Sequence, residues 1–62
     1  MFFKFTLAQK AAKQLLKHPD TLKVIVEWDY SQRLYVVHRI TQYDRYTGSH
    51  SIRWSYAKPQ AQ

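Results

Sequence analysis

The stretch KVIVEWDYSQRLYVVHRI, residues 23–40, decides how this chain folds. Two runs of β-branched and aromatic residues flank a short polar break, the pattern of two strands joined by a tight turn. Side chains alternate between faces along a strand. A shift of one residue in the pairing therefore moves a whole strand's set to the other face. Reading Tyr30-Ser31-Gln32 as a three-residue loop places Asp29 opposite Arg33 as a charge pair. Trp28 then faces Leu34, Val26 faces Val36, and Val24 faces His38. This register puts Leu34, Val36, His38 and Ile40 on one face with Val24, Val26 and Trp28. The loop itself lacks the Gly or Asn that short hairpins favour.

The next stretch leads to the same face. Tyr46-Thr47-Gly48 fits a three-residue loop with Gly48 in the left-handed conformation. Arg45 then faces Ser49, Gln42 faces Ile52, Ile40 faces Trp54 and His38 faces Tyr56. The last strand, SIRWSY, shows Ile52, Trp54 and Tyr56 on one side and Ser51, Arg53 and Ser55 on the other. Under these pairings His38 is a core histidine bonded to Tyr56.

Upstream, MFFKF suits a brief strand. Thr6 with Gln9 makes a capping box that opens a helix. Leu7, Ala8, Ala11, Ala12, Leu15 and Leu16 form its apolar stripe, and Lys10, Lys13 and Lys17 fall on the opposite side. Pro19 ends it. The expected architecture is a single α+β domain over residues 1–57. It has a short N-terminal strand, one helix and a three-stranded antiparallel meander (order βαβββ), with the helix packed on the Trp28/Trp54 face. Residues 58–62 are expected to form a flexible tail.

Sixty-two residues make one small domain, marginal alone and without cross-links, since there is no Cys. A second copy of the chain is therefore a candidate partner. His18, His38 and His50 fit no zinc template, so neither metal nor cofactor is expected. No segment approaches the roughly 20 apolar residues of a membrane span, and the N-terminus lacks the pattern of a signal peptide. The expectation is a cytoplasmic protein without a membrane role. The formal charge is +6, with +3 in residues 1–20 and +3 in residues 21–62, so the excess is spread through the fold. A basic folded domain points to nucleic acid, an anionic membrane or an acidic protein, or simply to a solubilising surface.

With these registers the second sheet face carries Lys23 opposite Arg39, with Arg53 a further neighbour. Like charges across a strand pair repel, and a bound anion would relieve them. Tyr35 and Tyr43 flank the cluster with rings suited to stacking. Lys23, Arg39, Arg53, Tyr35 and Tyr43 are thus the candidate nucleic-acid site. The competing readings are a solvated face and a protein contact centred on Ile25 and Val37. His50 beside the Gly48 turn is either a plain turn residue or an anion contact.

A helix followed by three antiparallel strands resembles part of the double-stranded-RNA-binding domains, without their second helix and its basic motif. RLYVVHRITQYDRY resembles the last strands of RelE-type ribonuclease toxins, which are longer and have an additional helix. Neither resemblance carries a residue across. The sequence favours a small non-enzymatic nucleic-acid-binding protein. A protein-binding adaptor or inhibitor module is the alternative. A metal-free ribonuclease comes last, because no carboxylate pair is present and so short a chain leaves little room for a cleft.

Overall fold

The computed structural model describes residues 2–46 and 51–59. Helix α1 (Phe5–Leu15) is built from strong helix formers. Its N-cap is Lys4 in extended conformation, and no side chain caps the first turn. The helix thus starts one residue before Thr6, which places that hydroxyl inside the first turn and leaves the Thr6/Gln9 capping box unformed. At the other end Leu16, Lys17 and His18 donate their N–H groups to the carbonyls of Lys13, Gln14 and Leu15, at 3.3, 3.1 and 3.2 Å. These i→i−3 bonds tighten the last turn before Pro19.

Ala8 and Ala12 are fully buried against Val24 and Val26, with Phe5, Leu15 and Leu16 packed around them. The small side chains let the helix axis approach the sheet closely. The buried stripe is centred on Ala8 and Ala12, and Leu7 lies off it, 51% exposed. No helix among the described residues is long and apolar enough to cross a membrane.

Strands β1 (Lys23–Asp29), β2 (Leu34–Ile40) and β3 (Ile52–Ala57) form one antiparallel sheet. The domain is a small α+β fold with one helix on one face of a three-stranded sheet. The strand order is β2-β1-β3, which corrects the meander: β3 pairs with β1, and β1 is central. The physical reason is visible in β1 itself. Val24, Ile25 and Val26 are all 0% exposed, although successive side chains point to opposite faces. On each face the side chains of a central strand are flanked by those of a neighbour on either side, so both sets are better shielded there than at an edge. Strands β2 and β3 therefore lie at opposite edges of the sheet. The expected Gly48 turn lies outside the described residues. The N-terminal strand reduces to one bridge, in which Phe2 N–H donates to Tyr35 O (3.0 Å) and Tyr35 N–H donates to Phe2 O (2.7 Å).

The β1–β2 register differs by one residue from the expected one. Lys23 faces Ile40, Val24 faces Arg39, Ile25 faces His38, Val26 faces Val37, Trp28 faces Tyr35 and Asp29 faces Leu34. The loop has four residues, 30–33, and Asp29 organises it. Its Oδ1 accepts from Ser31 N–H (2.9 Å), Ser31 Oγ–H (2.6 Å) and Gln32 N–H (3.2 Å), and its carbonyl accepts from Arg33 N–H (2.8 Å). Asp29 is thus a turn residue and not the partner of an Arg33 charge pair. Arg33 closes the loop at φ 56, a left-handed conformation.

The extra loop residue turns β2 over. Tyr35, Val37 and Arg39 share the helix-side face with Val24, Val26 and Trp28. Leu34, Val36, His38 and Ile40 lie on the far face. On β3 the register against β1 shifts between Val26↔Trp54 and Glu27↔Ile52, leaving Arg53 as the bulged residue. Trp54 and Tyr56 stay on the helix side, while Ile52 and Ser55 fall on the far face.

Two substitutions check this frame by urea unfolding. Arg33→Gly relieves a left-handed non-glycine residue, about 1–2 kcal/mol, against about 0.5–1 kcal/mol of added chain entropy. A net gain of roughly 0.5–1 kcal/mol is expected; a loss would mean the loop is not left-handed there. Ile25→Ala should cost about 2–5 kcal/mol, much of a small domain's stability. A near-neutral result would show that the far face is uncovered.

Candidate functional site

The five expected site residues do not converge. Arg39 sits on the helix side, opposite Val24 and not opposite Lys23. Its Nε donates to Thr21 Oγ1 (2.7 Å) and its Nη2 pairs with Asp20 (2.5 Å). Thr21 is fully buried, so this arginine fastens the segment after α1 to the far end of β2. Lys23 lies on the other face, opposite Ile40 and Ala57. Arg53, at the bulge, donates to Tyr30 Oη (3.0 Å), with its guanidinium 6.0 Å from that ring's centre. Tyr35 is a core ring, edge-on to Trp28 at 4.8 Å and to Phe5 at 5.7 Å. Tyr43 is 85% exposed, beyond the end of β2. The one-residue β1–β2 register shift moves Tyr35 and Arg39 to the helix side, and the β3 bulge diverts Arg53. Ile25 and Val37 are separated in the same way, Val37 packing on the α1 side and Ile25 lying on the far face.

The far face holds a group that no local pattern announces. Tyr46 Oη donates to Glu27 Oε2, and the Tyr46 ring lies 5.2 Å from the His38 ring. His38 Nε2 is 3.5 Å from the same carboxylate oxygen, is buried, and has no hydrogen-bond partner among the described residues. His38 is therefore a far-face residue beside Glu27 and not a core partner of Tyr56. Tyr46 latches the connection after β2 onto the central strand. The pairs are 19 and 11 positions apart in sequence, which is why spacing alone gave no signal for them.

The four acids account for themselves inside the fold. Asp20 pairs with Arg39, Glu27 accepts from Tyr46, Asp29 holds the 30–33 loop, and Asp44 accepts from Thr41 N–H (2.7 Å) and Oγ1–H (2.8 Å). Of the ten Lys and Arg residues, only Arg39 has a carboxylate partner among the described residues. The outer side of α1 carries Lys10 and Lys13, with Lys17 just beyond, all exposed, and the helix contains no acid. At the sheet end where β1 begins, an open cleft of about 670 Å³ is lined by Thr21, Leu22, Lys23, Ile40, Ala57 and Lys58, among others. Lys58 Nζ there donates to His18 O (2.7 Å). Among the described residues no group of three or more His, Asp or Glu is placed to hold a metal ion.

The chain matches no protein-family model, no curated protein and no solved structure.

The internal use of the acids has a pH signature. Hydrogen bonds from Arg39, from Ser31 and from Thr41 hold Asp20, Asp29 and Asp44 respectively below the ordinary 3.8. A depressed carboxylate contributes stability above its unfolded value and loses it as pH falls through the folded one. Tyr46 goes the other way. Burial, then its bond to Glu27, pushes it up to about 12 from 10.0. That contribution is complete below pH 10 and is lost as pH rises toward 12. Unfolding free energy should thus be level near neutrality, fall below about pH 4, and fall again above about pH 10. Tyr46→Phe should weaken the protein at neutral pH and shrink the alkaline decline. An alkaline limb unchanged in that variant would show that the latch is not made.

Proposed function

We propose that this protein is a small non-enzymatic nucleic-acid-binding protein that holds its partner mainly through phosphate charge. The observation that carries this reading is the asymmetry of pairing: all four acids are spent on turns, a latch and one internal ion pair, while nine of ten Lys and Arg side chains have no carboxylate beside them among the described residues. An unneutralised positive field attracts a polyanion and releases its counterions on contact. The broadest contact is the outer side of α1. Lys10, Lys13 and Lys17 span roughly 10 Å along the axis at 1.5 Å per residue, about three phosphate steps along one strand of a duplex. Lys23 and Lys58 at the cleft extend the basic surface, and Tyr43 offers an exposed ring for stacking. Arg39, committed to Asp20 and Thr21, is assigned to stability.

Titration of labelled RNA and DNA oligonucleotides at several salt concentrations tests this. Wild type should bind with steep salt dependence. Replacing Lys10, Lys13 and Lys17 together by Gln should flatten the log–log slope by about two to three units, at roughly 0.7–0.9 per phosphate contact. Arg39→Ala should lower thermal stability and leave the slope nearly unchanged. Absence of salt-sensitive binding to either polymer would end the proposal. The second reading, a protein-binding module, is favoured by a different feature, the outer edge of β3.

A further inference from the structure

The two outer edges of the sheet are not equivalent. On β2 the residue whose backbone points outward at one end, Tyr35, is already bridged by Phe2. On β3 the outward groups follow from the ladder. Lys58 N–H donates to Leu22 O (2.9 Å), in line with the Val24↔Tyr56 and Val26↔Trp54 register. Hydrogen-bonded and non-hydrogen-bonded pairs alternate in an antiparallel ladder. Trp54 and Tyr56 therefore exchange bonds with β1, and the N–H and C=O groups of Ser55 and Ala57 point away from the sheet. Neither Ser55 nor Ala57 has a hydrogen-bond partner on that side among the described residues.

The helix-side surface above this edge is also thinly covered. Helix α1 packs across β1 and β2, and Phe5 leans on Tyr35 of β2. At 100° per residue, Leu7 lies on the opposite flank of the Ala8/Ala12 stripe from Phe5, hence on the β3 side, and it is 51% exposed. On the same side of the sheet, Trp54 and Tyr56 of β3 are stacked, 6.5 Å apart and 14° between planes, with Tyr56 45% exposed. An open backbone edge bordered by an aromatic pair is a template for strand addition.

We propose that the occupant is a second copy of this chain, its own β3 added antiparallel to give a six-stranded sheet. Backbone parity restricts the register, because outward groups must meet outward groups, so the two-fold axis passes through a residue and not between two. An axis at Ser55 gives the longest overlap. Ser55 then meets Ser55 of the other copy, and Trp54 faces Tyr56 on the helix side, twice. Arg53 faces Ala57, so no charge opposes a like charge over the paired stretch, despite the +6 of each chain. Both helices fall on the same face, and their Leu7 flanks close over the aromatic pairs. For a domain without cross-links, this burial also answers the shortage of core.

Sedimentation of nuclease-treated protein tests the proposal apart from nucleic-acid binding. Wild type should show a concentration-dependent dimer that tightens with added salt, since salt screens two like-charged chains, whereas phosphate binding weakens with salt. Ser55→Pro removes an outward N–H and no bond to β1, so it should keep the fold by circular dichroism and weaken the dimer by about tenfold or more. The chain has no Cys, so Ser55→Cys creates a single thiol. Opposed residues lie about 5.5 Å apart at a hydrogen-bonded pair, within disulfide reach. Mild oxidation should therefore cross-link Ser55→Cys as a dimer and leave Arg53→Cys monomeric. Should Ser55→Pro not fold, the cysteine pair decides alone. A wild type that stays monomeric at millimolar concentration, or a dimer in which Arg53→Cys cross-links and Ser55→Cys does not, overturns the proposal.

Discussion

Asp29 gathers three hydrogen bonds from Ser31 and Gln32 onto one carboxylate oxygen, and the rest of the molecule depends on the turn so made. The turn adds a fourth loop residue and leaves Arg33 left-handed. From that point each β2 side chain faces opposite to where a three-residue loop would send it. Tyr35 goes into the core against Trp28 and Phe5, and His38 goes to the far face. Arg39 reaches the helix side, where Asp20 and Thr21 receive it. A single local hydrogen-bonding choice thus sets which residues are structural and which stay free.

The second constraint is β1. Three consecutive fully buried side chains need cover on both faces, and one eleven-residue helix covers only one. On the far face the Tyr46 side chain lies over β1, bonded to Glu27 and in contact with His38.

These structural demands shape the surface. Each of the four Asp and Glu side chains is recruited to a turn, a latch or an internal pair, and the cations are left over. The basic field is therefore not a cluster built at one spot. It is what remains when the acids have been used inside, and the helix side shows it best because α1 contains no acid at all. Arg39 is withdrawn from that field by its pairing with Asp20. The open β3 edge arises from the same topology, since β1 can serve only one partner strand on each side.

The helix, the three strands, the antiparallel pairing and the choice of the Trp54 face as the packed one were all legible in the sequence, because propensity and periodicity are local properties. The Lys10, Lys13, Lys17 side was legible for the same reason. Register, strand order and the fate of each charged side chain were not. The two short loops had each suggested the same wrong face for β2, and their agreement did not make them right. One extra loop residue inverts a strand at little local cost, and Asp29 stabilises that longer loop without any Gly to mark it. Strand order depends on how both faces of β1 are buried, a comparison among segments far apart in sequence. The Tyr46–Glu27–His38 contact and the Arg39–Asp20–Thr21 anchor join residues 11 to 19 positions apart, so only the folded chain could bring them together.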